Sequence, residues 1–209
     1  MTHKTIQRHI TQSLRSLLAF TIALGLVYPL VTTGLAAIIA PSQRAGSLVL
    51  APCPAEGTCP PEIERAVGSS LVGQLFDAPH YFWGRPSATA KPYDGMGASG
   101  SNLGPSNPAL HEAVAARVAA LGPTSSKVPI DLVTTSASGL DPHISPAAAL
   151  FQVPRVAATR GLTKERLETL VKEHVEPRLF GLFGERVVNV LALNMALDAL
   201  APQADSGRR

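Results

Sequence analysis

No acid occurs in the first 55 residues of this 209-residue chain; Glu56 is the first of 15. Cysteine is nearly absent, with only Cys53 and Cys59, in the stretch CPAEGTC. Tryptophan occurs once, aromatics make up 5% and charged residues 16%. Each shortage excludes something. Two thiolates with no histidine nearby do not complete a zinc site, so metal binding is not expected of them. A small Cys53–Cys59 disulfide loop in an oxidising compartment is the favoured reading over free thiols, worth about 2 kcal/mol at most. The six histidines, at 3, 9, 80, 111, 143 and 174, form no HxH or HExxH pattern and have no carboxylate cluster beside them. No basic stripe marks a nucleic-acid surface.

What the chain does have is apolarity gathered in one place. Leu17 to Ala40, LLAFTIALGLVYPLVTTGLAAIIA, is 24 residues without a charge. As a helix it is about 36 Å long, against a hydrocarbon core of about 30 Å. Residues 14–40 are therefore expected to cross a lipid bilayer. Gly25 and Pro29 are tolerated in such helices when neighbours re-satisfy the backbone, so Pro29 points to packing against partner helices. A cleaved secretory signal competes, since Leu35-Ala36-Ala37 faintly resembles a cleavage site, but signal cores usually run only about 7 to 15 residues. Lys4, Arg8 and Arg15 precede the span and only Arg44 lies close behind it, which predicts a cytoplasmic N-terminus (1–13) and an extracytoplasmic remainder. Without those three cations the 18 basic residues fall to 15, equal to the acids, so the remainder is neutral.

Residues 41–61, with five prolines, read as a linker. The domain proper is expected at 62–202, with a disordered tail at 203–209. Ile63, Val67, Leu71 and Leu75 recur every fourth residue and predict a helix from about Glu62 to Phe76. Asn107-Pro108 and Ser145-Pro146 are helix starts, and Thr163 caps another helix. VPIDLVTTSA (128–137) reads as a β-strand, and VVNVLALN (187–194) as a strand running into a short last helix. Pro154 is expected to bend or break the helix near Val153. The sum is an α+β fold: one N-terminal transmembrane helix and one extracytoplasmic domain.

Catalytic motifs are sparse. GASGSNLG (97–104) has glycines but neither GxGxxG nor GxxxxGK[ST] spacing, so an ordered loop is the simpler reading. GxSxG is absent. Asp141, His143 and Ser145 invite a triad, yet triad members normally come from separate elements; Asp141 more plausibly orders a turn and His143 packs or braces it. The alternative function is nonetheless a membrane-anchored extracytoplasmic hydrolase using the glycine loop and Asp141/His143. What stands out is the length of the sparsely charged loops. Phe82, Trp83, Tyr93 and Leu103 argue that they are ordered, which suits a docking surface.

YFWGRPSATAKPYD (81–94), GASGSNLGPSNPAL (97–110), VPIDLVTTSASGLDPHISPAAALFQVPRVAATRGL (128–162) and NVLALNMALDAL (189–200) resemble the signature blocks of the KdpC family, the C subunit of the Kdp potassium-transporting ATPase. The resemblance runs from about Leu14 to Leu200, with CPAEGTC and the tail outside it. It implies a non-catalytic subunit of a bacterial inner-membrane complex, with KdpA, KdpB and KdpF as partners. Potassium and ATP would be handled by that complex and no cofactor held by this chain. It also implies a chaperone-like increase in the ATP affinity of KdpB, and links Gln152 to nucleotide. The charge bias opposes a direct contact, because it places Gln152 on the side away from cytoplasmic ATP. Within the loops Phe82, Trp83, Gly84, Arg85, Pro86, Ser101, Asn102, Gly104, Asn107, Asp141 and His143 are the expected docking or structural residues, with Arg85 and Asn102 the leading polar anchors.

Overall fold

The computed structural model describes residues 3–53, 61, 65–122 and 127–201. It contains two compact units, Met1–Leu48 and Val49–Arg209. The first is helical. Helix α1 (His3–Ile22) passes through a π-turn at Ala23–Val27 into α2 (Tyr28–Ile39), followed by the single turn α3 (Pro41–Arg44). The π-turn has a local cause. Pro29 donates no hydrogen bond and its ring would crowd the carbonyl four residues back; widening the preceding turn relieves this, with Tyr28 N–H reaching Ala23 O. The apolar stretch Thr5–Ile39, 35 residues, is exposed along its length and long enough to cross a membrane. The helix begins well before residue 14, so about 50 Å of helix is available for a hydrocarbon core of about 30 Å.

The second unit is mixed, as expected of an α+β chain. Strands β1 (Leu48–Leu50) and β2 (Ala66–Ser69) form a two-stranded sheet. A three-stranded antiparallel sheet has the order β3 (His143–Ile144), β5 (Val187–Asn189), β4 (Val175–Glu176), with Ile144 and Val175 both opposite Val188. Around it lie α4 (Pro108–Ala120), α5 (Pro146–Arg160), α6 (Lys164–Glu173) and α7 (Val190–Leu200). The core joins Phe82 to Ile144, Val153, Val156, Leu167, Val171, Val188, Leu193 and Leu197.

Local signals placed the helix starts. Asn107, Ser145 and Thr163 each accept a hydrogen bond from a first-turn amide, of Ala109, Ala148 and Arg166. Non-local pairing overturned other expectations. Of the helix expected at 62–76, the described part from residue 66 on is instead β2 followed by irregular chain: Gly68, Ser69 and Ser70 are poor helix formers, and Val67, Leu71 and Leu75 are exposed. Ile63 lies outside the described residues. The strand expected at 128–137 is a 3-10 turn, Ile130–Leu132, after Pro129. Asp131 is engaged there, its carboxylate accepting from Ser145 N–H at 2.7 Å. Pro154 does not break α5, which runs on to Arg160. Pro154 has no amide to donate to the carbonyl of Leu150, four residues back, and Leu150 lies at an exposed position of the helix. The last strand stops at Asn189, because the Asn189 side chain accepts from Ala192 N–H and opens α7. The described part of residues 41–61, read as a Pro-rich linker, includes α3 and β1. Cys53 is disulfide-bonded; Cys59 and the tail lie outside the described residues.

Candidate functional site

The segment Pro79–Trp83 is strapped to two helices by side chains that grip its backbone. Asn194, on the inner face of α7, accepts from Phe82 N–H and donates to Phe82 O, both at 2.9 Å. Gln152, on α5, does the same for the next residue: its Oε1 accepts from Trp83 N–H at 2.8 Å and its Nε2 donates to Trp83 O at 3.1 Å. Two carboxamides thus replace the partner strand that this stretch lacks, and each is 1% exposed. Both are needed because a buried amide without a partner costs about 1–3 kcal/mol. The remaining capacity of Gln152 is also engaged. Nε2 donates to Ala148 O at 3.3 Å, and Oε1 accepts from Arg155 Nη2 at 2.6 Å. A primary carboxamide offers two donors and two lone pairs, so none is left.

Two arginines of α5 finish the strap. Arg155 donates to the carbonyls of Pro79 and Tyr81 and lies 3.9 Å over the Trp83 ring, and burial lowers its pKa to about 10. Arg160 donates to His80 O at 2.9 Å and pairs with Asp198 at 2.7 Å. Asp198 also accepts from Tyr81 OH at 3.0 Å, and burial together with this carboxylate raises the Tyr81 pKa.

A second cluster joins the two glycine-rich loops. Arg85 pairs with Asp141 at 3.0 Å and donates to Thr135 O at 3.2 Å, while its Nε is buried without a partner. Tyr93, at φ 59°, donates to Arg85 O at 2.6 Å; burial first, then the Asp141 charge, push its pKa up to about 12. Ser87 donates to Gly139 O at 2.8 Å, and Pro86 O accepts from Ser136 N–H at 3.2 Å. The glycines serve close packing: a Cβ on Gly84 would lie 2.5 Å from the Tyr93 hydroxyl, and one on Gly100 would lie 2.9 Å from Ala137 O. This explains Gly100 of GASGSNLG without a phosphate, whereas a Cβ on Gly97 or Gly104 would meet no close neighbour.

The expected residues therefore separate into groups. Phe82, Trp83, Gly84, Arg85, Pro86 and Asp141 lie in the clamped loops, Phe82 fully buried, and His143 opens β3 directly after them. Ser101 is half-buried, and Asn102, Gly104 and Asn107 are exposed, with Asn102 at φ 54° and Asn107 capping α4. The Asp141, His143 and Ser145 side chains are occupied separately. Asp141 Oδ1 accepts from the backbone N–H of His143 at 3.0 Å, and the imidazole is 3.9 Å from that oxygen. Ser145 Oγ caps α5. Among the described residues no group of three His, Cys, Asp or Glu side chains is arranged to hold a metal. A cleft of about 460 Å³ opens between Phe76, Trp83, Arg85, Tyr93, Arg117 and Leu132, and one of about 570 Å³ between Arg85, Asp131, Asp141, His143 and Arg186.

Sequence reasoning missed Asn194, Arg155 and Arg160. A signal was present, since Asn194 and Gln152 are polar residues on otherwise apolar helix faces, beside Val190, Leu193 and Leu197 and beside Ala148, Ala149 and Val156. That pattern marks a buried hydrogen-bonding role.

Among the described residues one apolar helix is long enough to span a bilayer, and a mixed domain whose long loops are pinned by internal polar contacts follows it in the chain: an α+β protein with one candidate membrane span. The KdpC family, described as the c chain of a K+-transporting ATPase, matches residues 10–199. The chain belongs to that family. It is 52% identical over 195 residues to a protein of Sorangium cellulosum (strain So ce56) named Potassium-transporting ATPase KdpC subunit, covering 91% of this chain and 97% of that protein. Proteins of the same name from Ralstonia nicotianae (strain ATCC BAA-1114 / GMI1000) and Methylorubrum populi (strain ATCC BAA-705 / NCIMB 13946 / BJ001) are 52% and 49% identical, covering 84% and 92% of this chain and 83% and 98% of those proteins.

Proposed function

We propose that this chain is a non-catalytic accessory subunit of a Kdp-type potassium-transporting ATPase in the bacterial inner membrane, assembled with KdpA-, KdpB- and KdpF-like subunits. Its N-terminus is cytoplasmic and its α+β domain extracytoplasmic, in keeping with Lys4, Arg8 and Arg15 ahead of the span. Family membership and the span support this reading. Its effect on ATP is allosteric, through the conformational equilibrium of the pump.

The observation that carries the allosteric part is Gln152. Its carboxamide is buried and its two donors and two acceptor sites are already used within the fold. A nucleotide would have to replace bonds that hold Trp83 in place. Gln152 therefore acts as a brace. The test is titration of ATP into the purified full-length chain in detergent: no saturable binding is expected, and micromolar affinity would defeat the reading. Hydrolysis of ester or phosphate substrates by the same sample, lost in His143→Ala, would favour the hydrolase instead.

A further inference from the structure

The connection between β4 and β5 carries the densest exposed apolar surface of the second unit among the described residues. In Arg178-Leu179-Phe180-Gly181-Leu182-Phe183-Gly184-Glu185 the four large side chains are 64%, 84%, 76% and 65% exposed, in the order Leu179, Phe180, Leu182, Phe183. Contiguous exposure of this kind marks an interaction site or an aggregation hazard.

This loop is not floppy chain. Leu179 and Phe183 exchange both backbone hydrogen bonds, at 2.9 and 3.0 Å. Gly181 N–H reaches Arg178 O at 2.9 Å and Leu182 N–H reaches Leu179 O at 3.1 Å. Phe180 holds φ 53°, Gly181 φ 73° and Gly184 φ 77°. A positive φ is uncommon for a bulky residue and strains the backbone, so the turn holds the Phe180 ring outward at a cost. Its strand β5 is the centre of the sheet, which ties the hairpin to the core. A preorganised apolar knob loses little freedom on docking.

We infer that the 178–185 hairpin is a docking knob that seats in an apolar, uncharged socket on a membrane-embedded subunit of the same transporter. The inference rests on the accessory-subunit reading, which supplies such a partner. Charge decides between a protein socket and the lipid surface. Surfaces that bind anionic lipid surround their apolar residues with unpaired cations. Here Arg178 is paired with Glu185 at 2.8 Å across the hairpin base, and the formal charges of the two residues that flank this stretch, Glu176 and Arg186, cancel. A neutral base and a fixed shape suit a complementary pocket, whereas lipid requires no shape.

The full-length chain, tagged and co-expressed with the other subunits of its transporter, carries photo-reactive benzoylphenylalanine in place of Phe180. Irradiated membranes are then solubilised and the adducts mapped by mass spectrometry. The expected adduct is a peptide of one membrane-embedded subunit of that transporter. Adducts with lipid only, or with a second copy of this chain, overturn the inference. In parallel, Phe180→Asn with Phe183→Ser is expected to reduce retention of the other subunits in detergent by at least about tenfold, the scale for loss of one buried aromatic anchor. Asn tolerates the left-handed φ at 180, so the melting temperature of the chain should not move. Unchanged retention overturns the inference while leaving the accessory-subunit reading intact. Failure of the unmodified chain to retain any transporter subunit overturns both.

Discussion

Replacing Gln152 with leucine keeps the volume of the side chain and removes all of its hydrogen bonds. Trp83 N–H and O lose the partners now at 2.8 and 3.1 Å, and Arg155 Nη2 loses an acceptor at 2.6 Å. Each orphaned buried group costs about 1–3 kcal/mol, but the segment is partly exposed and water can reach some of it. A loss of about 2–5 kcal/mol follows, which in a domain of this size lowers the melting temperature by about 5–20 °C. Trp83 is the only tryptophan, so its fluorescence during thermal unfolding of the full-length chain in detergent reports directly on the clamped segment. Asn194→Leu should behave alike through Phe82. Because the two carboxamides grip adjacent residues, the double variant should lose less than the sum of the singles. Should Gln152→Leu melt like the parent while the assembled pump loses ATP affinity, the bracing argument is refuted and a nucleotide contact takes its place.

Tyr93 makes stability sensitive to alkali. Its folded pKa of about 12 lies above the unfolded value of 10.0, so the folded state keeps its proton longer. Stability is fully present below pH 10 and falls as pH rises towards 12, by up to about 2 kcal/mol after allowance for its partial exposure. Tyr93→Phe should make that fall shallower in chemical-denaturation curves taken from pH 9 to 12, the raised Tyr81 and lowered Arg155 pKa values contributing with opposite signs in both proteins, at the price of the bond to Arg85 O; an unchanged slope would assign it to another group. Gly139→Ala combines φ +72° with a Cβ 2.7 Å from Thr89 Cγ2 and 2.8 Å from Ser99 O, so a loss of about 2–4 kcal/mol in urea unfolding is expected. Pro154→Ala restores an amide to face Leu150 O within α5 and should raise the melting temperature, by about 1–3 kcal/mol of stability. A lower melting temperature would mean the ring itself is packed to advantage.

The contrast between the loops and the helices explains what could be read in advance. Asn107, Ser145 and Thr163 cap helices through bonds to residues two or three positions away, so their pattern in the sequence suffices. The stretch 128–137 has strand-like composition, yet the strand opposite β5 is His143–Ile144; which stretch pairs is decided by residues far along the chain. The periodicity fails over residues 66–76 for the same reason: a helix needs one face to bury, and Val67, Leu71 and Leu75 stay exposed. The glycine loop and Tyr81–Asp94 were legible as ordered from their aromatics and as family blocks, but not as a backbone held by Asn194 and Gln152, which lie 112 and 69 residues away from the groups they grip.

The sequence alone determined those features that depend on neighbours in the chain: one long uncharged stretch with cations ahead of it, the helix starts, and family blocks spanning most of the chain. Tertiary structure decided the rest. Only the fold could show that the Gln152 carboxamide is fully engaged inside the protein, since hydrogen-bond saturation depends on which distant backbone groups arrive within about 3 Å. Only the fold could show that Leu179, Phe180, Leu182 and Phe183 point outward, because the same apolar composition would equally suit a buried turn until the sheet on either side fixes its direction.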